Sequence, residues 1–530
     1  MNLGWWLERS WWDFADKVAV VDPDDTQVTY DGLRSLTNRM GNVLRHEGMV
    51  GPDDVVVTVM ADHHIHVATL FAVWRLGAVF CGLNRQLPPE QLVADAKRTF
   101  AKVVIVDDAL GHLCAGFAEA GLKVYRARTD ADGVPAILPL THRHSDALEV
   151  APRGQADTAC INFTSGTSGQ SKGVIFTHGT LGNSALGSIF LAGVKSDTRN
   201  LSIVGMFHSG GVHDSLRLVA AGATILWSDG WDVGRVVHIF ETHAPNFMYW
   251  IGPTPLRQLI AHPAWPTLNL RGMRMYIAGE VVPPEMERAV QEKGAIVGKI
   301  YGLTEAMPVC ILSTSLYYGG AENAPATSSG KPNREFCDVV LKDPYTGELV
   351  EGGGVEGEIC VRGDVITPGY FNDAEKTREA FDADGYLHTK DLAYRDAEGW
   401  YHIRGRADDV ISVSGKKVSL LDIDRALLKG SGVLDAACVG VRHLSLGEAP
   451  AAFVVLQPGA SESAALAALD AHIGGLLSDL HRPRVYKFVD AVPRTAAKRS
   501  KMQGEMRRQL AGIVLTEPSI AVNLSDVAAH

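Results

Sequence analysis

A short loop of glycines, hydroxyl groups and one lysine decides the fold of this chain: TSGTSGQSKG, residues 164–173. It follows TACINF, residues 158–163, a run typical of a buried strand. Ligands of α/β sheets collect where such strands end. Exposed backbone N–H groups, hydroxyls and a lysine suit a phosphate, although Lys172 is followed by Gly173 and so does not complete a Walker A motif. The segment therefore predicts a phosphate-binding loop.

The sequence around this loop alternates between strand-like and helix-like patterns. Residues 31–48 carry apolar side chains at helical spacing, and so do residues 66–76. A short β-branched run at Val55–Met60 lies between these two segments, and another at Val103–Val106 follows the second. Such alternation is typical of parallel sheets covered by helices, so we predict an α/β fold.

The sequence pattern changes after about Asp343, where glycines separate short strand-like runs. This spacing predicts an antiparallel, barrel-like region. Within it, GGGVEG at residues 352–357 satisfies the GxGxxG pattern of dinucleotide sites. The strand-like run EICVR follows, where a dinucleotide site needs a helix, so we interpret the segment as a hairpin turn. From about residue 407 to residue 509 the pattern is mixed α/β again.

Composition excludes several classes of protein. The 530 residues include 50 Lys and Arg against 61 Asp and Glu, a net charge of −11 that disfavours nucleic-acid binding. The apolar fraction of 46% disfavours disorder, and no apolar run is long enough to cross a membrane. The seven cysteines form no CxxC pair, which disfavours a zinc clip or a disulfide framework and fits a reducing cytoplasm.

Four further segments, in a fixed order after the loop, carry a resemblance. They are GKIYGLTE at 298–305, GYLHTKD at 385–391, GRADDVI at 405–411 and PRT at 493–495. Together with the loop they resemble the adenylate-forming superfamily of acyl-CoA synthetases, nonribosomal-peptide adenylation domains and beetle luciferases. The resemblance implies a large N-terminal AMP-binding domain over residues 1–406, with helix-covered parallel sheets and a distorted β-barrel. It also implies a small, mobile α+β domain over residues 407–530.

The resemblance assigns residues to the phosphate end of ATP. Thr304 would bind the α-phosphate, and Glu305 would hold Mg²⁺, a cation that prefers carboxylate and phosphate oxygens. The loop would contact the phosphates through Thr164, Ser165, Gly166, Thr167, Ser168, Gly169 and Lys172.

Further residues are assigned to the nucleoside. Tyr301 would stack on adenine, Asp391 would accept the two ribose hydroxyls, and Arg406 would reinforce the ribose or phosphate contacts. Gly279, Glu280 and Gly302 complete the predicted nucleotide site. Asp408 matches the hinge about which the small domain rotates between the two half-reactions.

The chain departs from the family pattern at the C-terminal lysine, at the TGD motif, and at Leu420, Asp422 and Asp424, which stand where P-x-E-x-E is usual. The family's C-terminal lysine follows a threonine at a fixed spacing. Counted from Thr495, that spacing falls on Arg499. If the chain has a two-residue insertion here, Lys501 takes the position of the family lysine. We favour Lys501 as the catalytic lysine, with Lys498 as its competitor. Lys390 stands where the TGD motif has glycine.

The segment MFHSGG, residues 206–211, indicates which class of acid is the substrate. It resembles the FHxxG segment of acyl- and aryl-CoA synthetases, and His208 would gate the site of the carboxylate. Relatives that activate amino acids place an aspartate there, so a plain carboxylic acid is favoured.

We therefore expect an AMP-forming acid–thiol ligase, with ATP, Mg²⁺ and coenzyme A as cofactors or co-substrates. Its partners would be small molecules, and the resemblance allows a homodimer. The alternatives are transfer of the acyl group to a carrier protein or an amine, and nucleotide binding without turnover.

Overall fold

The computed structural model describes residues 2–164, 171–278, 284–306, 312–313, 324–325, 327–344, 346–457, 459–493, 503–510 and 522–523. The strands are β1 Val18–Val21, β2 Gln27–Thr29, β3 Val55–Val59, β4 Val79–Gly82, β5 Val103–Val106, β6 Lys123–Arg126, β7 Thr158–Thr164, β8 Lys172–Thr177, β9 Arg199–Ser202, β10 Thr224–Trp227, β11 Phe247–Ile251, β12 Arg274–Ile277, β13 Ile296–Tyr301, β14 Leu312–Ser313, β15 Lys331–Pro332, β16 Asp338–Lys342, β17 Glu356–Arg362, β18 Leu387–Arg395, β19 Tyr401–Arg406, β20 Val410–Val413, β21 Lys416–Ser419, β22 Val433–His443, β23 Gly447–Leu456, β24 Val485–Phe488 and β25 Val522–Asn523. The helices are α1 Trp5–Phe14, α2 Tyr30–His46, α3 His64–Arg75, α4 Pro89–Arg98, α5 Cys114–Glu119, α6 Ile137–Thr141, α7 His178–Ala192, α8 Ser209–Ala220, α9 Val233–His243, α10 Pro253–Ala261, α11 Pro284–Glu292, α12 Ala374–Ala380, α13 Leu420–Leu427, α14 Glu462–Leu476 and α15 Gln503–Gln509.

Two largely parallel sheets form the first part of the chain. One has six strands in the order β6-β5-β3-β4-β7-β8, and all its pairs are parallel except β7 with β8. The other has nine strands in the order β15-β14-β13-β12-β11-β9-β10-β1-β2. This arrangement confirms the α/β prediction.

The predicted helices over 31–48 and 66–76 and the predicted strands over 55–60 and 103–106 are confirmed within two residues at each end. The helix expected over 31–48 is α2, which begins after Thr29, whose side chain accepts a hydrogen bond from the N–H of Gly32. Its apolar stripe, which includes Leu33, Met40 and Val43, is fully buried. Burial of each such side chain contributes about 1.5–3 kcal/mol before the loss of conformational entropy is counted.

The antiparallel region expected after Asp343 is a four-stranded sheet in the order β16-β17-β18-β19. The GGGVEG segment leads directly into β17, with Gly352 and Gly354 at φ of 90° and 80°. Residues with side chains rarely adopt this left-handed conformation, so glycine is required by the turn. The hairpin interpretation is therefore confirmed.

A fourth sheet contains β20 to β25 and packs with α13 and α14 through a separate apolar core. This is the mixed α/β composition expected after residue 407. The four-stranded sheet ends at Arg406 and the next strand begins at Val410, so the predicted boundary between residues 406 and 407 falls between two sheets. The boundary itself stays a prediction.

No helix among the described residues is long and apolar enough to cross a membrane.

Candidate functional site

The predicted phosphate-binding loop joins two antiparallel strands. Thr164, the last residue of β7, lies opposite Lys172, the first residue of β8. The predicted strand before the loop is therefore confirmed. The far end of the loop is anchored on α4, where Arg98 Nη2 donates to the carbonyl of Ser171 at 3.0 Å. The loop residues Ser165, Gly166, Thr167, Ser168 and Gly169 lie outside the described residues.

Tyr370 connects the lysine of this loop to Glu305. Its hydroxyl donates to Glu305 Oε1 at 2.9 Å, and Lys172 Nζ lies 4.8 Å from the centre of its ring. Burial raises the pKa of Tyr370, and the Glu305 carboxylate raises it further, so the hydroxyl stays protonated and can donate. Lys172, which the resemblance assigns to the ATP phosphates, and Glu305, which it assigns to Mg²⁺, therefore contact the same buried tyrosine.

The backbone places Glu305 beside β8. Strand β13 ends at Tyr301, and the chain then makes a tight turn in which Leu303 and Ala306 exchange two backbone hydrogen bonds. Thr304 and Glu305 form the tip of this turn, and Thr304 is buried. Thr367 joins the turn to β8, because its N–H donates to the carbonyl of Glu305 and its hydroxyl donates to the carbonyl of Ile175.

Asp391 is held by the other two residues predicted to bind the nucleoside. The Tyr301 hydroxyl donates to Asp391 Oδ2 at 2.6 Å, and Arg406 Nη1 lies 3.5 Å from Asp391 Oδ1. Asp391 on β18 is also the register partner of Arg406 on β19. Burial and the neighbouring Asp391 carboxylate raise the pKa of Tyr301, so its hydroxyl stays a donor. The structure thus brings the three residues together, while stacking of Tyr301 on adenine stays a prediction.

The residue that departs from the TGD motif has a strained backbone. Lys390 has a φ of 61°, a left-handed conformation that costs roughly 1 kcal/mol with a side chain and explains why the motif has glycine there. Its N–H donates to Glu358 Oε1 at 2.7 Å. The preceding Thr389 hydroxyl donates to the carbonyl of Ile359 at 2.7 Å. These two bonds to β17 hold the backbone that carries Asp391.

His208, the residue predicted to gate the site of the carboxylate, caps a helix. It is the N-cap of α8, and its Nδ1 accepts a hydrogen bond from the N–H of Gly210 at 3.0 Å. Because Nδ1 accepts, the neutral ring carries its proton on Nε2. The His208 ring also makes an edge-to-face contact with Trp250, with ring centres 6.4 Å apart. Asn162 Nδ2 donates to the carbonyl of Phe207 at 3.2 Å, which ties this segment to β7.

Helix α8 also carries buried charges that the sequence analysis did not single out. Arg217 and Asp214 form an ion pair at 2.8 Å, and neither is more than 2% exposed. The Arg217 guanidinium lies 3.8 Å from the centre of the Tyr249 ring, a cation–π contact. Burial, together with the nearby charge of Arg217, lowers the pKa of the neighbouring His213 to about 3. Helix α8 therefore buries three ionisable side chains on the turns that follow His208.

Several predicted residues cannot be placed. Gly279, Glu280, Lys501 and its alternatives Lys498 and Arg499 lie outside the described residues. Asp408 lies in a 3₁₀ turn over Ala407–Asp409, directly after β19, and its role as a hinge stays a prediction. Gly302 follows β13 and lies between Tyr301 and the turn that carries Thr304.

Sequence reasoning missed three residues that organise this site: Tyr370, Asn162 and Glu358. Each acts through a side-chain hydrogen bond to a residue at least 32 positions away in sequence. No local motif carries such a signal, because each contact joins segments that are distant in sequence and meet only in the folded chain. The one local feature beside Tyr370 is the preceding Gly369, whose φ of 145° is a backbone conformation that favours glycine.

Comparisons with known proteins identify the family to which the chain belongs. A family model described as AMP-binding enzyme matches residues 7–371, and one described as AMP-binding enzyme C-terminal domain matches residues 422–499. An indoleacetate–CoA ligase of Aromatoleum aromaticum is 29% identical over 521 residues, covering 96% of this chain and 98% of that protein. A feruloyl-CoA synthase of an Amycolatopsis species is also 29% identical, covering 91% of this chain and 94% of its own.

Solved structures share the fold. ATP-bound MatB from Rhodopseudomonas palustris has a TM-score of 0.84 at 24% identity, covering 96% of this chain and 99% of its own. An anthranilate CoA ligase in complex with anthranoyl-AMP has the same TM-score and identity, covering 96% of this chain and 97% of its own. The family model covers well over half of the 530 residues. The chain therefore belongs to the family of AMP-binding enzymes, within the adenylate-forming superfamily that its motifs resemble.

Proposed function

We propose that this enzyme is an ATP-dependent acid–thiol ligase whose acid carries an aromatic ring. It activates the carboxylate as an acyl-adenylate and then transfers the acyl group to coenzyme A. The observation that carries the proposal is that residues predicted to bind ATP are held together in two sets, Asp391 by Tyr301 and Arg406, and Glu305 with Lys172 through Tyr370. The family model and the CoA ligases among the relatives support the same activity.

The nucleotide half of the site follows from this arrangement. Asp391 already accepts a hydroxyl from Tyr301, and a carboxylate with two oxygens can accept both ribose hydroxyls. Lys172 offers a cation beside the loop that the sequence assigns to the phosphates. Thr304 and Glu305 follow the end of β13, where ligands of parallel sheets bind.

The residues present suit a magnesium ion at Glu305. Tyr370 occupies Oε1, whereas Oε2 makes no hydrogen bond or ion pair with any residue in the described part of the chain. Mg²⁺ is commonly held by one or two carboxylates together with substrate phosphates, so a single carboxylate facing the phosphates fits. When bound, the ion supplies positive charge to the phosphates, and Glu305 is the residue that holds it.

The reaction proceeds in two steps, formation of the acyl-adenylate and formation of the thioester. An oxygen of the substrate carboxylate attacks the α-phosphorus of ATP, the new P–O bond forms, and pyrophosphate leaves. The thiol of coenzyme A then loses its proton to solvent, and its sulfur attacks the acyl carbon, so that a C–S bond forms, the C–O bond to the phosphate breaks and AMP leaves. Lys501 would stabilise the first step, and rotation about Asp408 would admit the thiol for the second.

The acid would lie beside His208 and Trp250. Gly210 keeps the two rings close, because a Cβ at this position would lie 3.2 Å from His208 Nδ1 and 3.3 Å from Trp250 Cε2. The buried Nε1 of Trp250 has no hydrogen-bond acceptor among the described residues. An aromatic acid can stack against this indole, and a polar substituent can accept its N–H. Relatives named for indoleacetate, ferulate and 3-hydroxybenzoate support an aromatic substrate.

The experiment compares kcat/KM for thioester formation with arylacetic, cinnamic and benzoic acids against straight-chain acids of equal carbon number. The proposal expects at least ~10-fold preference for one aromatic class, as an added aromatic contact of about 1.4 kcal/mol would give. Trp250→Leu should remove the preference while Trp227→Leu, a buried tryptophan on β10, should leave it. Equal rates for aromatic and aliphatic acids would contradict the aromatic assignment and leave the ligase activity intact.

A further inference from the structure

Three side chains of different ligand chemistry meet on the four-stranded antiparallel sheet, away from Glu305. Glu358 and Cys360 are two residues apart on β17 and therefore lie on the same face. His388 on β18 is the register partner of Cys360. One carboxylate oxygen, one sulfur and one ring nitrogen lie within 4.8 Å of one another.

Two of the three distances between these ligand atoms are close to the edges of a tetrahedral zinc site. His388 Nδ1 lies 3.6 Å from Cys360 Sγ and 3.0 Å from Glu358 Oε2. Ligand bonds of about 2.3 Å to sulfur and 2.0–2.1 Å to nitrogen and oxygen give tetrahedral edges of about 3.6 Å for N···S and about 3.4 Å for N···O. The N···S distance already has the tetrahedral value, and the N···O distance would have to lengthen by about 0.4 Å.

The surroundings favour a bound cation. Cys360 and Glu358 are 0% and 6% exposed, whereas the side chain of His388 is 25% exposed and opens the cluster to solvent. The other ring nitrogen, Nε2, lies 3.6 Å from Asp382 Oδ2. A metal-bound histidine usually presents its second ring N–H to a carboxylate in this way. Lys342 pairs with Asp382 and holds that carboxylate in place.

We propose that Cys360, His388 and Glu358 bind one divalent cation of the zinc class, with water as its fourth ligand. Thiolate, imidazole and carboxylate together select zinc over magnesium. On binding, the thiol of Cys360 releases its proton to solvent and forms the metal–sulfur bond. The ring proton of His388 moves from Nδ1 to Nε2, and Nδ1 becomes the nitrogen ligand.

The site is coupled to the nucleotide site through Glu358. While Oε2 faces the cluster, Oε1 accepts the N–H of Lys390, which precedes Asp391. A metal ion would fix Glu358 and with it the loop that positions Asp391. The sequence did not indicate this site, because its ligands come from two strands and form no CxxC pair.

The test titrates chelator-treated protein with Co²⁺ alone, without nucleotide or acid. Cobalt is a spectroscopic substitute for zinc, and a thiolate ligand gives a charge-transfer band in the near ultraviolet. We expect one equivalent of Co²⁺ to produce this band and one equivalent of Zn²⁺ to abolish it. The near-isosteric Cys360→Ser should lose the band, while Cys114→Ser, another buried cysteine, should retain it.

His388→Gln provides a second variant and should weaken Co²⁺ binding at least ~10-fold, as loss of one ligand or its supporting partner does. Circular dichroism spectra confirm that each variant is folded. No band in the wild-type protein would overturn the proposal. A band that survives in folded Cys360→Ser would also overturn it, because the sulfur would then come from another residue.

Discussion

Tyr370 donates a hydrogen bond to Glu305 at 2.9 Å and places its ring 4.8 Å from the amino group of Lys172. One buried side chain thereby sets the distance between the carboxylate proposed to hold magnesium and the lysine proposed to face the phosphates. The contact also joins three parts of the chain: the segment before α12, the turn after β13 and strand β8. Positioning of ATP should depend on this contact.

Tyr370→Phe removes the hydroxyl and leaves the ring beside Lys172. A hydrogen bond to a charged group contributes about 1.5–3 kcal/mol, so kcat/KM for adenylate formation should fall roughly 10- to 100-fold. The KM for Mg²⁺ should rise, because Glu305 loses its support. Tyr394→Phe is the control, since that ring stacks on His402 on the antiparallel sheet. Unchanged Mg²⁺ dependence in Tyr370→Phe would contradict the positioning role.

Asp391→Asn tests the ribose contact. An amide replaces one acceptor oxygen by a donor, so the KM for ATP should rise about 10- to 100-fold, a cost of roughly 1.4–3 kcal/mol. Tyr301→Phe should have a smaller effect, about 3- to 10-fold, because it removes only one neutral donor to the same carboxylate. Steady-state kinetics with varied ATP measure both. Asp338→Asn, an exposed carboxylate paired with Arg362, should match the wild type.

Lys501→Ala should nearly abolish adenylate formation, whereas Lys498→Ala should retain it. The reason is the gapped match to the family's C-terminal motif, which places Lys501 in the catalytic position. Acid-dependent exchange of pyrophosphate into ATP isolates this first half-reaction. If Lys498→Ala is the inactive variant, the two-residue insertion has been placed wrongly.

Stability should fall in acid because of His213. Burial lowers its pKa to about 3 from the ordinary 6.5, so between these values the unfolded chain binds a proton that the folded chain does not. The free energy of unfolding therefore falls as the pH drops from 6.5 towards 3, by up to about 1.4 kcal/mol per pH unit for this residue. The contribution is fully present above pH 6.5.

Urea unfolding at pH 7 and pH 5 measures this slope. His213→Phe keeps an aromatic ring beside Tyr249 and should show a shallower dependence than the wild type. Groups such as Asp214 and Arg217 are common to both proteins, so the difference reports His213. His112→Asn, an exposed histidine, should leave the slope unchanged. Equal slopes in wild type and His213→Phe would show that His213 titrates normally.

The sequence predicted what depends on local pattern. Strand β5 was expected over Val103–Val106 and is found there, because a β-branched run between turn residues has few alternatives. Asp391 and Arg406 were assigned separately by resemblance, and the sheet register places them opposite one another. What could not be predicted depends on long-range packing. The contact of Tyr370 with Glu305 spans 65 residues, and the pairing of Cys360 with His388 spans 28.

The central claim is that this chain joins an aromatic carboxylic acid to coenzyme A through an acyl-adenylate. The most direct measurement incubates the enzyme with ATP, Mg²⁺ and a panel of aromatic acids, with and without coenzyme A, and quantifies AMP, pyrophosphate and acyl-CoA by mass spectrometry. The account predicts sustained AMP release with stoichiometric acyl-CoA only when coenzyme A is present, for at least one aromatic acid. Sustained AMP release without coenzyme A, or no AMP with any acid, would contradict it.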